Sequence, residues 1–179
     1  MLRLLTLSGS LRATSSNASL LQAAGLLAPD GIAIEPYDGI GALPHFNPDL
    51  EQNLPPIVAA WHARVAAADG LLISCPEYAR GIPGSFKNAL DWLVGHPTFA
   101  GKPVALFNTS PRASAAQAAL RLVLETMAAR IINDASITVD LLSRRPDAAA
   151  IAADPVLSAT ITEALRRFAR AIEESGDEA

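Results

Sequence analysis

Cysteine occurs once in 179 residues, as Cys75. The chain therefore forms no internal disulfide and carries neither a Cys-x-x-Cys redox pair nor a zinc knuckle. Aromatic residues are also scarce, at 5%. Basic charge is in deficit: 14 Lys and Arg against 18 Asp and Glu leave a formal net charge of -4. Without a basic field for a polyanion, nucleic acid is not an expected partner. No apolar run approaches the roughly 18 residues that a membrane helix needs. The opening Met1 to Leu7 resembles the start of a signal peptide, but Ser8-Gly9-Ser10 and Arg12 end it early. With no membrane or metal partner indicated, cytoplasmic residence is the expectation.

What is present is aliphatic: half of the residues are apolar, enough for one well-buried core. A single domain over residues 1–179 is expected. Short aliphatic runs recur at Leu2–Leu7, Ile32–Glu35, Gly70–Cys75, Val104–Asn108 and Ile137–Val139, with helical spacing between most of them. Phe86, Ala89, Leu90, Leu93 and Val94 form the clearest stripe, with Lys87 and Asp91 together on another face. Further stripes run through Leu54 to Ala68, Leu120 to Ile131 and Ile161 to Ile172, and a helix carried by Leu20, Leu21, Ala24 and Leu27 follows the first strand.

That alternation reads as βα units. Five strands and five helices make an α/β domain, a flavodoxin-like three-layer α/β/α sandwich with a five-stranded parallel sheet of order 2-1-3-4-5. A six-stranded Rossmann arrangement alternates in the same way and stays open at this stage. The stretch from Tyr37 to Pro56, broken by Gly39, Gly41, Pro44, Pro48, Pro55 and Pro56, is expected to be a long loop that sets His45 and Phe46 at a subunit contact or above a ligand. Arg144-Arg145-Pro146 reads as a turn before the final helix, and Glu173 to Glu178 as a frayed acidic tail.

Two segments about seventy residues apart stand out. Gly9-Ser10-Leu11-Arg12-Ala13-Thr14-Ser15-Ser16-Asn17 and Pro76-Glu77-Tyr78-Ala79-Arg80-Gly81-Ile82-Pro83-Gly84 each follow an apolar run and lead into a helical pattern. In an open parallel sheet both belong at the carboxyl edge, where ligands bind. The first has hydroxyls, an amide and one Arg at a helix start, the groups that satisfy a phosphate. An ordinary helix cap accounts for Ser15, Ser16 or Asn17 as well. The second has the Pro and Gly content of a loop that holds a flat ring. Neither Gly-x-x-x-x-Gly-Lys-[Ser/Thr] nor a Gly-x-Gly-x-x-Gly fingerprint after the first strand occurs. Cys75 and Arg80 are one residue too close for the thiolate loop of a small tyrosine phosphatase.

In order and spacing the paired motifs resemble those of the NAD(P)H-dependent FMN reductases, the flavodoxin-like group that includes chromate, quinone and azo dye reductases. Gly9-Ser10-Leu11-Arg12 with Ser15 and Asn17 is similar to that family's phosphate loop. Pro76-Glu77-Tyr78, Pro83-Gly84 and Lys87-Asn88-Ala89-Leu90-Asp91-Trp92 are similar to its second signature. The resemblance spans about residues 1–130. It implies that Ser10, Arg12, Ser15 and Asn17 hold the phosphate of FMN, with Ser16 adding a contact, and that Pro76, Glu77, Tyr78 and Ala79 border the ring. Ser110, in Asn108-Thr109-Ser110-Pro111-Arg112, would close the ring's other side. Arg80 would pair with a nicotinamide phosphate or an anionic acceptor, or be a solvated turn residue.

The chain departs from the family at Ala79-Arg80, where Asn-Tyr or Asn-His is common, and at Pro111, where Gly-Gly is frequent. Glu77 is expected to orient a neighbouring loop or subunit, or to pair with Arg80 or Lys87. Trp92 is expected to pack on a helix or subunit, and Cys75, His62 and His96 to be structural. By resemblance the chain is a reductase that uses NADPH or NADH as reductant and passes electrons through bound FMN to a quinone, azo compound, metal oxyanion or free flavin. A homodimer or homotetramer is the implied assembly. A flavodoxin-like one-electron carrier and a cofactor-free regulatory binding protein of the same fold are the alternatives. Modest charge and few aromatics argue against the first, and intact phosphate-loop residues against the second.

Overall fold

The computed structural model describes residues 1–143 and 145–176. Four strands form the centre of the sheet: β1 (Leu2–Ser8), β2 (Ile32–Pro36), β3 (Gly70–Ser74) and β4 (Pro103–Asn108). They are parallel and lie in the order β2-β1-β3-β4. Because β2 is an edge strand paired with β1, the Rossmann order is excluded. Successive residues point to opposite faces, and both faces are covered, so the central strands are apolar nearly throughout. Leu5, Leu7, Leu71, Ile73, Val104 and Leu106 enter one core, while Leu4, Leu72, Ala105 and Phe107 enter the other.

Helices supply the two outer layers. α1 (Ser16–Leu26) lies on the Leu4 face together with two C-terminal helices, α5 (Ala148–Ala153) and α6 (Pro155–Gly176). The Leu5 face is covered by α2 (Pro56–Ala67), α3 (Gly84–Asp91) and α4 (Ser114–Thr126) through Trp61, Phe86, Leu90, Leu120 and Leu124. Trp61 is fully buried and donates its indole N–H to the Ala89 carbonyl at 3.0 Å, so α2 is tied to α3 by a hydrogen bond as well as by packing. None of the described helices is long and apolar enough to cross a membrane.

The far edge of the sheet corrects the sequence expectation: it has six strands, not five. β5 (Arg130–Ile131) pairs with the start of β4, and β6 (Ile137–Thr138) with its end. Between them the chain leaves the sheet through a 3-10 turn at Asn133–Ala135. Ser136 closes the gap, since its hydroxyl oxygen accepts from the Leu106 amide at 3.1 Å and its O–H donates to the Ile132 carbonyl at 2.9 Å. Asn and Asp favour such turns because their side chains compete with ladder bonds.

Helix count is corrected too: the described residues form six helices rather than the expected five. The short α5 precedes α6; Asp147 caps it by accepting from Ala150, and Asp154 caps the start of α6 by accepting from Val156 and Leu157. Glu173 and Glu174 belong to α6 rather than to a frayed tail. Arg144, Asp177 and Glu178 lie outside the described residues. The stripe through Val94 overran its helix: α3 ends at Asp91 and Val94 is exposed.

The loop between β2 and α2 holds two 3-10 turns, Gly39–Ala42 and Pro48–Asn53. α3 pins it in place. Asn88 accepts from the Phe46 amide at 2.7 Å and donates to the Pro44 carbonyl at 2.9 Å, and the Trp92 indole donates to the same carbonyl at 2.8 Å. Phe46 meets Trp92 edge to face, with centroids 5.0 Å apart. Both aromatic residues are thus engaged within the chain.

Candidate functional site

β1 and β3 pair with Ser8 opposite Ser74, so the loops leaving their carboxyl ends start side by side. Gly9 is where they touch. A Cβ there would lie 2.9 Å from Cys75 Sγ, 3.1 Å from Pro76 Cδ and 3.2 Å from Cys75 Cα, and the Gly9 amide donates to the Ser74 carbonyl at 2.8 Å. That approach needs a residue without a side chain.

The first loop then enters α1 through Ser15, an N-cap with extended backbone whose hydroxyl accepts from the Ala18 amide at 3.4 Å. Both a capping role and a ligand role are therefore compatible with Ser15. The amides of Ser16 and Asn17, in the first helical turn, have no acceptor among the described residues. Such donors at the positive end of a helix suit an anion.

Asn17 joins three elements. Its side-chain oxygen accepts from Ser74 at 2.9 Å and from Thr109 at 3.4 Å, linking α1 to the ends of β3 and β4. With the oxygen engaged, the amide NH2 is left to donate. It is not a buried orphan, because among the described residues no buried side-chain N or O lacks a partner, and Asn17 lines the cleft. Ser10 connects the first loop to the second: its hydroxyl accepts from the Arg12 amide at 3.4 Å and meets the Tyr78 hydroxyl at 3.3 Å.

Glu77 reaches across to the fourth loop, where its carboxylate accepts from the Ala116 amide in the first turn of α4 at 3.0 Å. Lys87 pairs with Asp91 instead, as their shared helix face implied. In the fourth loop the Asn108 side chain accepts from the Ser110 amide at 3.2 Å and donates to the Ser110 carbonyl at 2.7 Å, while the Ser110 hydroxyl accepts from the Arg112 amide at 3.1 Å. Local side-chain bonds of this kind fix the loop without a helix or strand.

Together these loops enclose an open cleft of about 640 Å³, within the usual size of a cofactor site. The structure brings Ser10, Arg12, Ser15, Ser16 and Asn17 to its wall, and Pro76, Glu77, Tyr78 and Ser110 with them. Ala79 and Arg80 do not line it. They are the centre of a two-residue hairpin in which Tyr78 and Gly81 exchange both backbone bonds, at 3.1 and 3.0 Å. Both have positive φ, 50° and 62°, the conformation in which Asn and Gly are favoured and other side chains are strained.

Arg112 and Arg145 also line the cleft and were missed as site residues. Arg112 lies in the fourth loop that the motif reading had singled out, so its position was within reach. Arg145 was not, because nothing in its local sequence shows that the segment after β6 returns toward α1. Among the described residues none of Arg12, Arg112 and Arg145 pairs with a carboxylate. The cleft lining thus carries these three guanidinium groups beside two carboxylates, Glu77 and Asp147, each of which accepts from a backbone amide.

Cys75, at the start of the loop after β3, is buried. Burial pushes its thiol up to about 12, which disfavours the thiolate at neutral pH and argues against a nucleophilic role. The folded protein is expected to resist a thiol reagent at pH 8 and to release one thiol per chain after denaturation; rapid labelling of the native protein would contradict this burial. The neutral thiol supports the fold below its unfolded value near 8.5, and that support is lost as pH rises toward 12. The His62 and His96 rings meet edge to face with centroids 4.3 Å apart. His62 contacts the Trp92 carbonyl at 2.6 Å and His96 the Thr98 hydroxyl at 2.8 Å, contacts consistent with the structural role expected of them. Burial, then His62, then Lys102, lowers the His96 pKa.

A parallel sheet of this order, with an anion-ready first loop beside the third, defines the flavodoxin-like class. The chain belongs to the NADPH-dependent FMN reductase family, whose profile matches residues 2–142. It is 41% identical over 112 residues to a 2-hydroxy-1,4-benzoquinone reductase of Burkholderia sp., an alignment covering 61% of each chain. A quinone reductase of Escherichia coli K12 is 31% identical over 153 residues, covering 82% of this chain and 81% of that one. The chain thus spans about three-fifths of the length of the first of these relatives and four-fifths of the second. Among solved structures, FerB, a flavoenzyme NAD(P)H:(acceptor) oxidoreductase from Paracoccus denitrificans, superposes with a TM-score of 0.76 at 29% identity, covering 95% of this chain and 98% of that chain.

Proposed function

We propose that this chain is an NAD(P)H-dependent FMN oxidoreductase that reduces a quinone, an azo compound, a metal oxyanion or free flavin. The observation that carries the reading is the single cleft in which the start of α1, with Arg12 and the Asn17 amide, faces the Pro76–Tyr78 loop. The donor set fits FMN: two unpaired first-turn amides, an NH2 group, hydroxyls and a guanidinium for a phosphate, beside a largely uncharged wall for a ring.

FMN, when bound, supplies the hydride chemistry between nicotinamide and acceptor. The protein's part is to hold and orient. Arg12 neutralises the phosphate, Asn17 and the Ser16 amide donate to it, and Ser10 is held at the loop junction by Tyr78. Pro76, Glu77 and Tyr78 border the ring from one side and Ser110 from the other, while Ala79, expected from the resemblance to join them, turns away from the cleft in its hairpin. Arg80, at the tip of the hairpin outside the cleft wall, is the proposed partner of an anionic part of the nicotinamide or of the acceptor. Relatives that are quinone reductases support a quinone as the acceptor class. A cytoplasmic location is supported by a sole cysteine that is free and buried.

Purified protein tests the reading. We expect a yellow sample with flavin absorbance, or a colourless one that gains it on added FMN, and rapid bleaching by NADPH or NADH without oxygen. Sedimentation of the same sample as a homodimer or homotetramer is the expected assembly. No visible absorbance after FMN addition would remove the flavin reading, and bound FMN that neither nicotinamide bleaches would point to a one-electron carrier.

A further inference from the structure

α4 begins without a cap of its own. The residue at its N-cap position is Ala113, which has no side-chain oxygen, and no acidic residue lies in the first turn. A helix end of that kind leaves first-turn amides unsatisfied. Here the acceptor comes from a different loop: the Glu77 carboxylate, 39 residues earlier in the chain, accepts from Ala116 at 3.0 Å. No ion pair to Arg80 or Lys87 competes for it among the described residues.

We propose that Glu77 is a positioning residue: it serves as the cap that α4 lacks and thereby locks the loop after β3 to the loop after β4. These two loops hold the ring side of the cleft in the flavin reading above, on which the functional part of this inference rests. Pro76 and Tyr78 flank Glu77 in the chain, and Ser110, Arg112 and Ala113 lead directly into the helix that it caps. This hydrogen bond therefore joins the two walls beyond the strand ends that β3–β4 pairing and Asn17 already hold together. The phosphate side rests on the start of α1; its ties to the other loops, Asn17 to Ser74 and Thr109 and Ser10 to Tyr78, do not involve Glu77, so loosening the Glu77 bond should affect recognition of the ring more than that of the phosphate.

The cap and its consequence can be read separately. In flavin-free protein, Glu77→Ala is expected to speed hydrogen exchange of the Ala116 amide about fivefold, the size of a lost cap. The dissociation constants of riboflavin and FMN, measured by flavin fluorescence, are expected to rise by a common factor, also about fivefold. Glu77→Gln keeps an oxygen acceptor and should restore both readouts to within about twofold of the unmodified protein. Unchanged Ala116 exchange in Glu77→Ala would overturn the cap. A loss confined to FMN, or a Glu77→Gln variant as impaired as Glu77→Ala, would overturn the positioning role. If the unmodified protein binds neither flavin, the site reading fails, while exchange at Ala116 still decides the cap.

Discussion

Asn17→Ala is expected to weaken both the fold and the site. Ser74 has no exposed surface and Thr109 only 4%, and both hydroxyls lose their acceptor. Each buried hydroxyl left unsatisfied costs roughly 1–3 kcal/mol, so the loss is large against the stability of a typical domain. The junction between α1, β3 and β4 should loosen with it, and FMN affinity should fall. Asn17→Asp separates the two roles. It retains an oxygen for Ser74 and Thr109 but replaces the free NH2 by negative charge beside the phosphate. Its urea midpoint is expected to stay near that of the unmodified protein, whereas FMN binding should be lost. A normal midpoint for Asn17→Ala would show that neither hydroxyl depends on Asn17.

Much of this arrangement was legible before any coordinates. Aliphatic runs at residues 2–7, 32–35, 70–75 and 104–108 marked four strands, because strands covered on both faces need apolar residues throughout and little else in the chain does. The flanking motifs then located the carboxyl-edge loops. The far edge was legible only in part: β6 was read as the fifth strand and β5 was not read. Each has two residues, too few for any periodicity, and the Ser136 hydroxyl that bridges the gap between them is a contact with no sequence signature. α5 escaped notice for a related reason: Ala148 to Ala153 is almost uniformly small and apolar, so no face stands out.

At the site, residue types were readable but partners were not. Asn17 read as a phosphate ligand, yet its oxygen is committed to Ser74 and Thr109, which are 57 and 92 residues away. Glu77 read as a residue that orients a neighbouring loop or subunit, or pairs with Arg80 or Lys87, but its partner, the Ala116 amide, was not readable because it depends on α4 lacking a cap. Ala79 and Arg80 matched the family's ring loop by position but occupy a hairpin that favours Asn-Gly. Departure from family residues at that turn was visible in the sequence; its backbone cost was not.

Arg12→Ala is expected to raise the dissociation constant of FMN at least about tenfold at low salt, since hydrogen bonds to charged groups contribute more than neutral ones. Riboflavin, which lacks the phosphate, should bind as before. Arg12 is exposed, so added salt screens its attraction, and the gap between the variant and the unmodified protein should narrow as ionic strength rises. Fluorescence titration with both flavins at several salt concentrations measures each part. Arg112 and Arg145 share the cleft, which sharpens the comparison. If either of them, rather than Arg12, neutralises the phosphate, Arg12→Ala will keep its FMN affinity and its salt dependence, and the assignment of the first loop as the phosphate site fails. If Arg12 carries the charge, the variant should discriminate little between FMN and riboflavin, and the remaining preference for FMN will measure what the first-turn amides of α1 and the Asn17 NH2 contribute without it.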